Sequence, residues 1–392
     1  MAGPIPAWMR WPVLITGGVC LLIGLNLALS LLGVWAPVPS GGDAAIHGQV
    51  MTFGFAGTLI CLERVIALRE KWALIAPAAL GLGGILLLVE PTAGRALQAL
   101  GMAVLVAVYA RLARRGLTVA LSIQILGALV GLGAVLLWWS GAATWAVIPW
   151  IAGFFVFTIV GERVELAHIS LPPGAERLAW GLSLALAFAI VAVLAAGRGG
   201  EFVGVLLLAQ AAWLARYDIA RTTVRTSGLP QYSAANMIAA MVWLAVAGIA
   251  WVLGGGLAAS PVYDTVVHSI TIGFTISMIM AHAPIILPAV LRRPLPYRPV
   301  FWVPAVLLNA GLLIRLIGDV RGLGLTWQIG GALLVVTILA FVLTAAVSSA
   351  AGPPKRRAPK RGDSAEPTDQ STVNPRPAGG LSIGRPDGGK GR

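Results

Sequence analysis

Charge is what this sequence has least of. Only 11% of its 392 residues are Asp, Glu, Lys or Arg, against about a quarter in a soluble domain. A water-soluble globule of this size is thereby excluded. Cysteine is almost absent, with Cys20 and Cys61 each inside an apolar block, which excludes a disulfide framework and a CxxC metal knuckle. Histidine is nearly as scarce, four residues in all. Basic residues outnumber acidic ones for a net charge of +13, but they are scattered over many loops. That scatter excludes a nucleic-acid footprint, which needs a continuous basic face.

What is abundant is long apolar sequence, 58% hydrophobic overall, in blocks of about 20 residues that match the thickness of a bilayer core. The reading is an all-α, polytopic membrane bundle of about twelve transmembrane helices within 1–350. The spans fall at roughly 12–35, 46–68, 72–90, 96–113, 118–139, 144–169, 177–196, 201–216, 232–254, 263–290, 300–318 and 324–347; the third and eighth are short. The first block lacks a small-residue cleavage site and reads as a retained helix.

Arginine and lysine gather after spans 2, 4, 8 and 10, from Arg69 to Arg298, so both termini are expected in the cytoplasm. Residues 351–392, rich in Pro, Gly, Ser, Lys and Arg, read as a disordered basic tail able to touch anionic lipid. Trp138, Trp139, Trp145 and Trp150 read as an interfacial aromatic belt.

One cadence recurs three times. "GFAGTLICLER" (54–64), "GFFVFTIVGER" (153–163) and "GFTISMIMAHA" (273–283) align without gaps, and eight residues beyond each Phe stand Glu63, Glu162 and His282. Each interval between copies holds four spans. The chain is therefore expected to be three four-helix repeats, with spans 2, 6 and 10 equivalent and parallel.

All four histidines lie in those same three spans. Intramembrane ionisable residues are costly and mark functional sites. His47 and His268 fall near the outer face; His168 and His282 fall in the inner half with Glu63, Glu162 and Glu165. In a continuous α-helix His268 and His282 are about 21 Å apart along span 10 and ~40° apart around it, so they share a face but not a metal. The outer pair suits axial ligation of a heme. The inner group suits either a second metal, through a Glu165-x-x-His168 pair like those of di-metal bundles, or ion pairs and proton handling.

"HGQVMTFGF" (47–55) resembles the His-x-His-Glu-Met-x-Phe-Gly-Phe segment of the NnrS family, and "HSITIGFTISMIM" (268–280) followed by "LRRPLPYRPV" (291–300) resembles that family's tenth helix and loop. The resemblance implies a twelve-span bacterial membrane protein holding heme and copper or iron, distantly related to the heme-copper oxidases. It implies redox chemistry or stress protection involving nitric oxide or a similar small gas, with an unidentified electron donor. It carries over His47 and His268 as heme ligands. Gln49 and Val50 replace the family's second His and its Glu, and no His-His pair exists; a terminal oxidase, which needs three copper histidines beside a heme ligand, is excluded. Two other classes stay open: a proton-coupled transporter using intramembrane Glu and His, and a metal-free structural or regulatory membrane protein.

Overall fold

The computed structural model describes residues 5–38, 44–256, 258 and 262–353. All but three residues of the expected tail (351–392) lie outside that set. Among the described residues the regular structure is helical. In chain order the rods are α1 (Ala7–Leu31), α2 (Ala44–Gln49, Val50–Gly57 and Thr58–Leu68 in sequence), α3 (Lys71–Leu86), α4 (Pro91–Ala113), α5 (Val119–Trp139) and α6 (Thr144–Ala167). There follow α7 (Ala175–Ala196), α8 (Gly200–Tyr217), α9 (Leu229–Gly254), α10 (Tyr263–His268, Ser269–Ile276 and Ser277–Leu291 in sequence), α11 (Pro299–Val320) and α12 (Gly324–Ala351). Ten of these are long and apolar enough to cross a membrane. The exceptions, α3 and α8, are the spans that looked short in the sequence.

Local chemistry sets the ends. Pro91 opens α4, where its missing N–H costs nothing. Thr118 caps α5, its hydroxyl accepting the Leu121 N–H. At the opposite ends arginines donate to carbonyls that the helix leaves unbonded. Arg10 reaches Ala289 and Val290 at the end of α10, and Arg115 reaches Leu68 at the end of α2. One arginine from a helix and one from a loop thus close helix ends. Glu70, in the turn after α2, accepts from the Trp72 indole and from Arg111 and Arg115. The Trp72 bond and the guanidinium of Arg111 hold its carboxyl below the ordinary value.

Sequential rods pair as hairpins: α3 with α4, α5 with α6, α8 with α9, α11 with α12. The three motif helices occupy the middle. They are the most buried of the spanning candidates, 67% for α2, 78% for α6 and 61% for α10, and they touch one another. Phe53 packs on Phe154 at 5.6 Å between ring centroids, and α10 contacts both α2 and α6.

The motif glycines explain how these helices are approached so closely. A Cβ on Gly54 would come within 3.2 Å of the Gly84 Cα and 2.9 Å of the Cys20 sulfur. One on Gly153 would press on Ile190, and one on Gly273 would strike the Trp243 ring. Glycine thus lets a neighbour approach closely at each crossing, with least room to adjust at Gly54, where backbone faces backbone, and at Gly273, against an indole ring. Of the four tryptophans of the expected belt, Trp139 and Trp145 are exposed and Trp150 is half-buried. Trp138 is instead a core residue, 3% exposed and edge-on to Phe53.

One feature is not legible in the sequence. The middle thirds of α2 and α10, Val50–Gly57 and Ser269–Ile276, are π-helix. The two segments have equal length and coincide when Gly54-Phe55 is laid on Gly273-Phe274; α6 remains α-helical throughout. π-turns are rare and concentrate at functional sites. Each extra residue accommodated in such a turn re-phases the rest of the helix by about 100°. The ~40° separation expected for His268 and His282 assumed unbroken α-helix and does not apply.

Candidate functional site

At one end of the bundle, the outer end of the sequence reading, α2 and α10 each carry a histidine. His47 lies within electrostatic reach of His268 and of Arg315. Nδ1 of His47 is 3.0 Å from the Gly24 carbonyl of α1. Nδ1 of His268 is 3.1 Å from the Asp264 carbonyl and 3.1 Å from its carboxylate. Carbonyls and carboxylates only accept, so both Nδ1 atoms carry a proton, and in the neutral ring each Nε2 keeps its lone pair. No hydrogen bond to either Nε2 is found among the described residues. Arg315 of α11 fixes Asp264 with two bonds of 2.6 and 2.9 Å and stacks on Trp327 at 4.7 Å. The imidazole of His268 is thereby oriented by a carboxylate that is itself held by an arginine.

At the other end, Arg64 of α2 sits among three carboxylates, 2.7 Å from Glu63, 3.2 Å from Glu162 and 3.2 Å from Glu165. Gln124 of α5 donates to Glu165 at 3.1 Å. Beside this group Arg163 forms a second, drier pair. It donates to Asp218 at 2.6 and 3.1 Å, with side chains only 5% and 1% exposed. Arg163 also donates to Nε2 of His282 at 3.1 Å, while Nδ1 of His282 donates to the Met278 carbonyl at 2.7 Å. His282 is therefore a neutral ring with both nitrogens engaged. Glu63, Arg64, Glu162, Arg163, Glu165 and His282 all line one cavity of about 480 Å³. The tenth residue of each motif copy reaches that shared space.

His168 does not join them. It caps the end of α6, its side chain 71% exposed, and pairs with Glu176 of α7 at 2.6 Å. Glu165 and His168 turn to different partners, so the three-residue spacing does not assemble a metal-binding pair. Among the described residues no three His, Cys, Asp or Glu side chains are grouped to hold a metal ion. The inner carboxylates face a guanidinium and His282 has no free lone pair, so this donor set does not fit a second metal.

Several working residues were not singled out from sequence. Asp218 follows α8 as a lone acid among arginines, Asp264 stands four residues before His268, and Arg315 is the one arginine inside its span. An acid four residues from a histidine, and a solitary charge in an apolar run, are signals that a partner search would have caught.

No curated protein and no solved structure matches this chain. The model of a family described as a domain of unknown function (DUF8744) matches residues 10–350, which takes in both ends of the bundle. The chain belongs to that family.

Proposed function

We propose that the chain is a heme-binding protein of the bacterial inner membrane, similar to the NnrS family, with His47 and His268 as the iron ligands near the outer face. The observation that carries this reading is the shared state of the two imidazoles. They lie within electrostatic reach of each other on α2 and α10, each with Nδ1–H donated and no protein partner on Nε2. Ligating histidines characteristically donate their second nitrogen to a carbonyl or carboxylate in this way. A heme brings four ring nitrogens of its own, so two protein donors complete the coordination of its iron. When bound, the heme supplies one-electron chemistry. The protein's part is to orient both rings, through Gly24 on one side and Asp264 with Arg315 on the other.

In this reading the twelve rods all span, arranged as three four-helix units with α2, α6 and α10 equivalent and both termini cytoplasmic. The coincident π-segments of α2 and α10 support the equivalence. The activity is redox chemistry or protection linked to nitric oxide or a related small gas, with electrons from an unidentified donor. A heme held there would have His47 and His268 as its protein ligands and would supply electron transfer.

The test is a reduced-minus-oxidised visible spectrum of the detergent-purified protein expressed with heme supplied. Wild type is expected to show a low-spin signal that is lost in His47→Ala and in His268→Ala. Wild-type protein without heme would overturn the reading. It would leave as leading reading a proton-coupled carrier built on the inner Glu and His residues, which the inner cavity favours.

A further inference from the structure

The two outer imidazoles are alike in tautomer and unlike in partner. Nδ1 of His47 donates to the Gly24 carbonyl, a neutral acceptor. Nδ1 of His268 lies 3.1 Å from the Asp264 carbonyl and 3.1 Å from Oδ1 of its carboxylate. That same oxygen accepts from Nη2 of Arg315 at 2.6 Å, and Oδ2 accepts from Nε at 2.9 Å. One imidazole therefore has a charged group behind it, and the other has a peptide.

The arginine behind the carboxylate is itself seated. Its guanidinium stacks on Trp327, and α12 leaves room for it, since a Cβ on Gly331 would stand 2.7 Å from Nη1. Gripped at both oxygens, the carboxylate keeps one orientation toward His268. The side chains of His268, Asp264 and Arg315 are 19%, 17% and 9% exposed, so water screens their charges only weakly.

An imidazole whose N–H points at a carboxylate donates more strongly through its other nitrogen, because the acid draws the proton and negative charge builds on the ring. Such a donor favours ferric iron over the ferrous state that one added electron produces. Hydrogen bonding behind the ligand is one of the few levers a protein has on a heme potential. Gly24 gives His47 an orientation without that charge.

We propose that Asp264, held by Arg315, is a positioning residue that makes His268 the stronger of the two heme ligands and lowers the reduction potential of the iron. The inference rests on the heme reading and deepens it by making the two histidines unequal. Removing the negative charge of Asp264 should raise the potential. Removing the positive charge of Arg315 should lower it. A general loosening of the site would not produce opposite signs.

The experiment is potentiometric reduction of the purified full-length protein by dithionite with redox mediators, followed in the visible spectrum. Asp264→Asn is expected to keep the low-spin spectrum and to raise the ferrous-to-ferric ratio at a fixed potential about tenfold, an upward shift of about 59 mV for a one-electron couple. Asp264→Glu, which keeps the charge, should lie nearer wild type than Asp264→Asn does. Arg315→Gln should move the potential downward, and it decides the matter if Asp264→Asn does not fold by size exclusion. An unmoved or lowered potential in low-spin Asp264→Asn, an equal shift in Asp264→Glu, or an unmoved or raised potential in Arg315→Gln would overturn this proposal while leaving heme binding intact. Wild-type protein without heme would overturn the heme reading and this inference together.

Discussion

Asp218→Ala is expected to destabilise the protein by about 3–5 kcal/mol, the cost of leaving a buried charge without its partner. Arg163 and Asp218 are the driest ion pair among the described residues, at 5% and 1% side-chain exposure. Solvent screening, which reduces surface pairs to about 0–1 kcal/mol, does not reach them. The truncation removes more than one contact. Asp218 also accepts the N–H of Ala220 at 2.8 Å, which fixes the short turn after α8. Arg163 would then be held only by His282. Replacing both partners by apolar side chains, Arg163→Met with Asp218→Leu, should recover most of the loss, because no buried charge remains. Equilibrium unfolding in mixed detergent, followed by tryptophan fluorescence, reads both. A single Asp218→Ala loss below about 1 kcal/mol would show that the pair is solvated and the account wrong.

Arg64→Met should be nearly as damaging, for a different reason. Here one cation serves three acids, so its removal strands a cluster. Glu162 and Glu63, at 18% and 29% side-chain exposure, lose the most, while Glu165, at 57%, is partly rescued by water. A loss of about 3 kcal/mol is expected, with a distinctive remedy. Adding Glu162→Gln to Arg64→Met should restore stability, since it removes one of the mutually repelling charges. Non-additivity of this sign is the signature of a shared network. If the double variant is less stable than Arg64→Met alone, the three acids are not competing for one guanidinium.

Much of this architecture was legible in the chain. Runs of apolar residues located the helices, because length and hydropathy are what a bilayer selects. The Gly-Phe cadence identified the central three, since close crossings need glycine and leave the next side chain wedged in the core. The register also gave Glu63, Glu162 and His282 a common destination. What could not be read depends on pairing across distant rods. His168 looked like part of the inner group by its height in the membrane, yet its direction takes it to Glu176. Asp218 and Arg315 acquire meaning only through Arg163 and Asp264, far away in sequence. The wide turns of α2 and α10 escaped because the residues within them, such as "VMTFGFAG", satisfy an ordinary α-helix equally well.

Those wide turns give α2 and α10 a property that a uniform helix lacks. In a rigid screw, the direction of a side chain at one end dictates the direction at the other. A π-segment between the ends works as a clutch. His268 can be aimed at His47 without dictating how His282 meets Arg163, and the same holds for His47 relative to Glu63. The two ends of the bundle can therefore be tuned independently, and losing one residue from such a segment would turn one end by about 100° against the other. Two chemistries, one at each side of the membrane, can be carried by the same pair of helices without compromise in the aim of either.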